Sequence, residues 1–197
     1  MNAARLEVRG LAASRGPVTL FRDLSFALAA GEIAAVRGPN GSGKTTLLRC
    51  VAGLTRPDAG EVVREGELLF AGHLPGIKDD LNAAENLRDS LRMRGLSTDE
   101  SRISSALERA GLAERRRLPA RRLSAGQRRR ISLARLALDP APLGVLDEPL
   151  AALDAEGEVL LGEVLAGHLD AGGLALIATH HDLPLAGRQV RVVSVRQ

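Results

Sequence analysis

Residues 38–45 read Gly38-Pro39-Asn40-Gly41-Ser42-Gly43-Lys44-Thr45. An apolar run at residues 33–36 precedes this stretch and predicts a buried strand, and Leu47, Leu48 and Val51 follow it at helical spacing. Glycines in a turn between a strand and a helix let backbone N–H groups converge on phosphate oxygens, at the helix end that favours negative charge. The stretch therefore matches the P-loop pattern and predicts a nucleotide-phosphate site.

Two side chains of this stretch carry the chemistry of the predicted site. Lys44 is placed to reach the β- and γ-phosphates of ATP, and the hydroxyl of Thr45 is placed to bind Mg²⁺. We expect the other contacts to the nucleotide here to come from Gly38, Pro39, Asn40, Gly41, Ser42, Gly43 and Thr46.

A second apolar run, at residues 143–146, ends in two carboxylates, Asp147 and Glu148. This is the Walker B form. Asp147 suits the coordination of Mg²⁺. Glu148 is placed to polarise the attacking water as a general base. A carboxylate pair at a strand end is common by itself, and it becomes informative because a complete P-loop lies upstream.

The composition excludes several other classes of protein. The 197 residues contain only 2% aromatics, with no Trp or Tyr, so base-stacking platforms for nucleic acid are not expected. The net charge of +3 is accompanied by no groove-reading motif, and we expect no nucleic-acid partner. The single cysteine, Cys50, excludes an internal disulfide. No apolar run is long enough to span a membrane.

The order of patterns along the chain predicts an α/β fold with a mainly parallel sheet. A pair of strands is expected at residues 61–63 and 67–70, and helices at residues 82–93 and around residues 103–110, the latter begun by a capping box of Ser97 and Glu100. Ser124 and Asp154 are expected to cap two further helices. We expect one domain over residues 1–197, with its core at 1–75 and 138–197 and an inserted helical subdomain at 76–137.

Three further segments carry a resemblance to a known family. Leu123-Ser124-Ala125-Gly126-Gln127 resembles the signature of ATP-binding cassette (ABC) ATPases, with Ala125 where glycine is commoner. The run Leu150-Ala151-Ala152-Leu153-Asp154 resembles the D-loop, and Thr179-His180 resembles the switch histidine. With the P-loop and Walker B strand, the elements occur in the family's order and cover the whole chain.

The resemblance implies the ABC-type P-loop NTPase fold, with an antiparallel β part beside the parallel core. It also implies a homodimer packed head to tail, with two ATP molecules sandwiched between the subunits. Ser124, Gly126 and Gln127 would then contact the nucleotide held by the other subunit. His180 would contact the γ-phosphate, and its neighbour His181 is the weaker candidate.

Two positions depart from the family pattern. The aromatic residue that commonly stacks on adenine is absent near residues 13–15, which leaves Arg15, through its guanidinium plane, and Phe21 as candidates. The Q-loop glutamine is absent at residues 73–75, where the alternatives are that His73 supplies part of its role or that Mg²⁺ coordination relies on water. Because neither change removes Lys44, Asp147 or Glu148, we expect hydrolysis to survive.

The stretch LFAGHLPGIKDDLNAAENL, residues 69–87, resembles more particularly the ATPases of cytochrome c maturation. That resemblance implies integral membrane partners of the same maturation system, a role in haem handling or export, and a peripheral location on the cytoplasmic face of the inner membrane. The alternatives are the ATPase subunit of another small-substrate ABC transporter and a soluble, non-transport ABC ATPase.

Overall fold

The computed structural model describes residues 3–73 and 76–195. Strands predominate in the first part of the chain and helices in the middle, and the two alternate in the last third, as the sequence pattern predicts. In chain order the elements are β1 (Arg5–Arg15), β2 (Val18–Ala29), β3 (Ile33–Arg37), α1 (Lys44–Val51), β4 (Ala59–Glu65), β5 (Leu68–Ala71), α2 (Ala83–Met93), α3 (Glu100–Arg109), a short 3-10 helix (Ala120–Arg122), α4 (Ala125–Leu138), β6 (Leu143–Asp147), α5 (Ala155–Asp170), β7 (Leu174–Ala178) and β8 (Arg191–Ser194).

Five strands form a parallel sheet in the order β5-β6-β7-β3-β8. Every residue of β6 and β7 is buried, which explains why these strands read as unbroken apolar runs. The P-loop follows β3. The acidic pair, Asp147 and Glu148, lies at the end of β6, and β7 lies between β6 and β3 in the sheet. Because parallel strands end at the same edge of a sheet, the topology brings both motifs to one edge.

The other three strands form an antiparallel sheet in the order β2-β1-β4. The predicted pairing between residues 61–63 and 67–70 is therefore wrong, since β4 pairs with β1 whereas β5 pairs in parallel with β6. The apolar run Leu-Leu-Phe-Ala of β5 lies beside the fully buried strand β6, whereas no residue of the more polar β4 is buried.

Helix α1 packs between the two sheets and shares one hydrophobic core with them. Leu47 and Leu48 of this helix are fully buried, as are Leu6 of β1 and Leu176 of β7. Leucine, valine and alanine dominate this core, with Phe21 at 2% exposure as a buried aromatic. The helix that begins at the P-loop is thus fixed along its length, so that the loop itself is held by rigid elements.

The described residues fall into two compact units. One unit comprises the two sheets and α1, within Met1–His73, Ala141–Pro149 and Leu165–Gln197; the other comprises α2, α3, α4 and the first part of α5, within Leu74–Pro140 and Leu150–Val164. The proposed boundaries of the helical subdomain, residues 76–137, stay a prediction.

Side chains cap the helices of the second unit. Asn82 with Glu85, and Ser124 with Gln127, form reciprocal capping boxes at α2 and α4, which confirms Ser124 as a cap. The predicted box of Ser97 and Glu100 is wrong, because Asp99 caps α3 by accepting a hydrogen bond from the Ser101 N–H at 2.8 Å. A carboxylate at this position also interacts favourably with the helix dipole.

Among the described residues, no helix combines the length and the hydropathy that a membrane span requires.

Candidate active site

The P-loop turns directly into α1 at Gly43, whose φ of 101° lies in the left-handed region. A Cβ atom at Gly43 would lie 2.8 Å from the Cβ of Leu20 on β2. Only glycine satisfies both the backbone conformation and this close approach. The loop is closed upstream by the Ser42 N–H, which donates to the Pro39 carbonyl at 3.2 Å.

Lys44 is 8% exposed and its ammonium group is held over the loop. Its Nζ donates to the carbonyls of Gly38 and Pro39 at 2.9 and 3.2 Å, and lies 3.0 Å from Nε2 of His180. Since an ammonium group only donates, Nε2 of His180 is the acceptor in this contact. The two residues that sequence reasoning assigned to the phosphates therefore meet.

Thr45 and Asp147 also meet, although they are far apart in the sequence. The Thr45 hydroxyl donates to Oδ2 of Asp147 at 2.9 Å, and Asp147 is 3% exposed at the end of β6. A hydroxyl and a carboxylate oxygen form the hard donor set that Mg²⁺ uses when substrate phosphates and water complete its coordination. Within residues 3–73 and 76–195, no group of three or more His, Cys, Asp or Glu side chains could hold a metal without such a substrate.

Glu148 has a φ of 48°, one of three non-glycine residues with a positive φ among those described. Its N–H donates to the Ala178 carbonyl at 2.8 Å, which fixes the backbone beside β7. The carboxylate lies 3.5 Å from His180 through its Oε1 atom. A left-handed backbone at a non-glycine residue costs roughly 1–3 kcal/mol, and such strain is commonly retained at functional sites.

The turn after β7 decides which histidine faces the P-loop. Thr179 is fully buried, and its Oγ1 accepts a hydrogen bond from the His181 N–H at 3.1 Å. Nε2 of His180 lies 3.0 Å from Nζ of Lys44 and 3.5 Å from Oε1 of Glu148, whereas His181 does not line the cleft that holds these two residues. The geometry favours His180 over His181.

These side chains line one cleft of about 320 Å³. Its walls include Arg15 and His73, the candidates to replace the missing aromatic and the missing glutamine, and also Leu20, which sequence reasoning did not identify. Phe21 is wrong as a base-stacking candidate, because it is 2% exposed within the core. The full lining is Arg15, Leu20, Asn40, Gly41, Gly43, Lys44, Thr45, Thr46, His73, Asp147, Glu148 and His180.

The signature residues belong to the second unit. The Ser124 hydroxyl accepts from the Gln127 N–H at 3.2 Å, and the Gln127 side chain accepts from the Ser124 N–H at 3.0 Å. Gly126 lies in the first turn of α4 between them. The signature residues therefore lie at the N-terminus of α4, where the backbone N–H groups and the helix dipole favour the binding of anions.

Comparison with known proteins identifies relatives over nearly the whole chain. The ABC transporter family profile matches residues 21–151. The cytochrome c biogenesis ATP-binding export protein CcmA of Methylococcus capsulatus is 46% identical, with 95% of this chain and 96% of that protein covered. Its namesakes in Nitrosomonas europaea and Escherichia coli K12 are 45% and 44% identical, with 92% and 98% of this chain and 91% and 97% of those proteins covered.

Solved structures show the same fold. An ABC transporter ATP-binding protein from Pyrococcus furiosus superimposes with a TM-score of 0.84 over 96% of this chain and 97% of that one, at 23% identity. A structure described as the ATP-binding subunit of an ABC transporter gives a TM-score of 0.81 over 89% of this chain and 79% of that one, at 26% identity.

Proposed function

This chain belongs to the ABC transporter family and is an ABC-type ATPase, and we propose that it powers a cytochrome c biogenesis export system in which haem is the handled cargo. The observation that supports the ATPase chemistry is the meeting of Lys44, Thr45, Asp147, Glu148 and His180 in one cleft. The cytochrome assignment is supported by identities of 44–46% to proteins of that name over nearly the full length of both chains.

Three side chains of the cleft, those of Lys44, Glu148 and His180, act on the phosphates and the attacking water. Lys44 exchanges its contact with His180 for the β- and γ-phosphates of ATP, since a charged phosphate oxygen is a stronger acceptor for an ammonium group than an imidazole nitrogen. His180 is then free to contact the γ-phosphate. Glu148 takes a proton from the attacking water, the oxygen of that water bonds to the γ-phosphorus, and the bond to the bridging oxygen breaks to release ADP.

Thr45 and Asp147 are the residues that would hold Mg²⁺. The ion supplies charge neutralisation between the β- and γ-phosphates when it is bound. The hydrogen bond between the Thr45 hydroxyl and the Asp147 carboxylate keeps both oxygens oriented toward the same point before the nucleotide arrives. This preorientation lowers the cost of ordering the site when the nucleotide binds.

We propose that Arg15 and Leu20, which both line the cleft, contact the nucleotide base. A guanidinium plane can stack on a purine, and a leucine side chain offers an apolar contact. Neither contact distinguishes adenine from another base, because both are made with the face of the ring. The choice of ATP over other nucleoside triphosphates therefore rests on family membership.

The working unit that we propose is a head-to-tail homodimer. In it, Ser124, Gly126 and Gln127 of one subunit face the γ-phosphate of the nucleotide bound by the other. The N-terminus of α4 supplies partial positive charge and N–H groups for that contact. One subunit alone then holds half of each composite site, which makes hydrolysis depend on dimer formation.

The partners that we propose are integral membrane subunits of the same biogenesis system, with this chain bound peripherally at the cytoplasmic face of the inner membrane. The printed names of the relatives identify them as export proteins. An ATPase cannot export a substrate without a membrane pathway, and no described helix of this chain could provide one.

Co-purification tests the partner assignment. An affinity-tagged chain, expressed in its own host and extracted from membranes in mild detergent, should retain integral membrane proteins of the cytochrome c biogenesis system. An untagged chain carried through the same extraction is the control for nonspecific recovery of membrane proteins. Recovery of the membrane subunits of an unrelated transporter would replace the cytochrome assignment with that transporter.

A further inference from the structure

Arg130 on α4 is a buried cation surrounded by carboxylate oxygens of the segment that follows Glu148 in the chain. The side chain of Arg130 is 10% exposed. Its Nη2 lies 2.5 and 2.6 Å from the two carboxylate oxygens of Asp154, and 3.0 Å from Oε2 of Glu156. Its Nη1 donates to the Ala110 carbonyl at 3.4 Å, so the guanidinium group is anchored on two sides.

A second contact lies one turn earlier on the same face of α4. A Cβ atom at Gly126 would be only 2.9 Å from the carbonyl oxygen of Ala152. Ala152 itself has a φ of 63°, a left-handed conformation, and its carbonyl oxygen lies next to Gly126. Residues four apart on a helix share one face, so the loop is held by Arg130 and passes close to the backbone of Gly126 on the same face. We call residues 150–154 the acidic-capped loop.

Asp154 connects this loop to the next helix. Its Oδ1 accepts a hydrogen bond from the Gly157 N–H at 3.0 Å, which caps α5. The hydrogen bond from Arg130 and that cap lower the pKa of the Asp154 carboxyl, and the same carboxylate raises the pKa of Arg130. The pair therefore stays charged at neutral pH. Leu150–Val164 accordingly belongs to the same compact unit as α4, whereas Glu148 and Pro149 belong to the other unit.

We propose that Arg130 is a positioning residue that fixes the acidic-capped loop to the N-terminal half of α4, so that both present one rigid surface to a second copy of the chain. This inference rests on the proposed homodimer. The signature residues lie in the first turn of α4, and the loop passes close to that turn at Gly126 and is anchored to the next turn by Arg130. A second copy would then meet two segments whose relative geometry is set before binding, which lowers the entropic cost of assembly.

The alternative is a purely structural role, in which Arg130 only stabilises the helical unit. The two roles predict different effects on the dimer affinity of the folded protein. A structural role predicts that loss of Arg130 lowers the melting temperature and leaves the dimer affinity of the folded protein unchanged. The positioning role predicts a loss of dimer affinity with ATP binding by the single subunit preserved, because the P-loop and its lysine lie in the other unit.

The experiment uses the Glu148→Gln chain as its parent, since blocked hydrolysis allows the ATP-bound dimer to accumulate. ATP-dependent dimerisation is measured by sedimentation velocity, and ATP binding by titration at concentrations where the chain is monomeric. Adding Arg130→Met should weaken dimerisation at least about 10-fold, which corresponds to about 1.4 kcal/mol, and should leave the Kd for ATP within about twofold.

Two further variants make the test specific. Arg109→Met is the matched control, because Arg109 is an exposed arginine of the same unit whose contact with Glu163 is a long 3.4 Å; it should dimerise like the parent. Asp154→Asn removes the charge while keeping a side chain that can cap α5, and it should reproduce the Arg130→Met defect. Combining Arg130→Met with Asp154→Asn should add little to either change, because both break the same pair.

The outcomes separate the inference from the proposed function. If the Glu148→Gln parent fails to dimerise with ATP, the proposed homodimer is wrong and the inference falls with it. If the parent dimerises and Arg130→Met and Asp154→Asn dimerise equally well, the homodimer stands and the positioning role is overturned. Should Arg130→Met fail to fold, Asp154→Asn decides alone, because its side chain is 63% exposed and its cap is retained.

Discussion

The Glu148→Gln chain should bind ATP normally and hydrolyse it at least about 100-fold more slowly than the wild type, as expected from removal of a general base. Glutamine has the shape of glutamate and can keep the backbone bond from residue 148 to the Ala178 carbonyl. The amide, however, cannot accept the proton of the attacking water. Phosphate release at saturating ATP, measured together with equilibrium binding of ATP, checks both parts of this expectation.

The matched control for that change is Glu158→Gln, an exposed glutamate in the first turn of α5. Its turnover should equal that of the wild type. Both measurements require the chain in the presence of its membrane partners, so that the wild-type rate is high enough for comparison. Wild-type turnover by Glu148→Gln would show that another group takes the proton from water.

The Lys44→Ala chain should fail one step earlier, at nucleotide binding. Lys44 makes charge-assisted contacts with the phosphates, and each such bond contributes about 1.5–3 kcal/mol, so the Kd for ATP should rise at least about 10-fold. The loss should be smaller for ADP, because the γ-phosphate contact does not exist there. Titration with both nucleotides measures the difference.

The chain offers an unusually clean control for this change, because Lys78 is its one other lysine. Lys78 forms an exposed ion pair with Asp89 at 2.8 Å, and Lys78→Ala should bind ATP like the wild type. Equal affinities of Lys44→Ala and the wild type for ATP would contradict the assignment of the cleft as the phosphate site.

The parts of the site that could be predicted from the sequence are those fixed by local spacing. A glycine-rich turn between a strand and a helix specifies its own backbone, and the two carboxylates at the end of β6 follow an apolar run that only a buried strand explains. Parallel topology then brings the two motifs together, as the bond between Thr45 and Asp147 confirms. The fold class was predictable for the same reason.

The remaining features depend on packing between distant segments. Leu20 lines the cleft because β2 lies in a sheet that packs against α1, and a leucine in an alternating strand gives no sign of this. The sequence does not distinguish the cap of α3, because Ser97 and Asp99 are both residue types that cap helices well, and only the structure shows that Asp99 is the cap. The Arg130–Asp154 pair spans 24 residues and gives no periodic signal.

The most direct test of the central assignment is the amount of holo-cytochrome c in cells that lack this gene, complemented with the wild-type or the Lys44→Ala chain. Spectra and haem staining of the membrane and periplasmic fractions measure it. We expect holo-cytochrome c to be lost in the deletion strain and restored by the wild type alone. Normal holo-cytochrome c in the deletion strain would contradict the cytochrome c role and leave an ABC ATPase with another membrane partner.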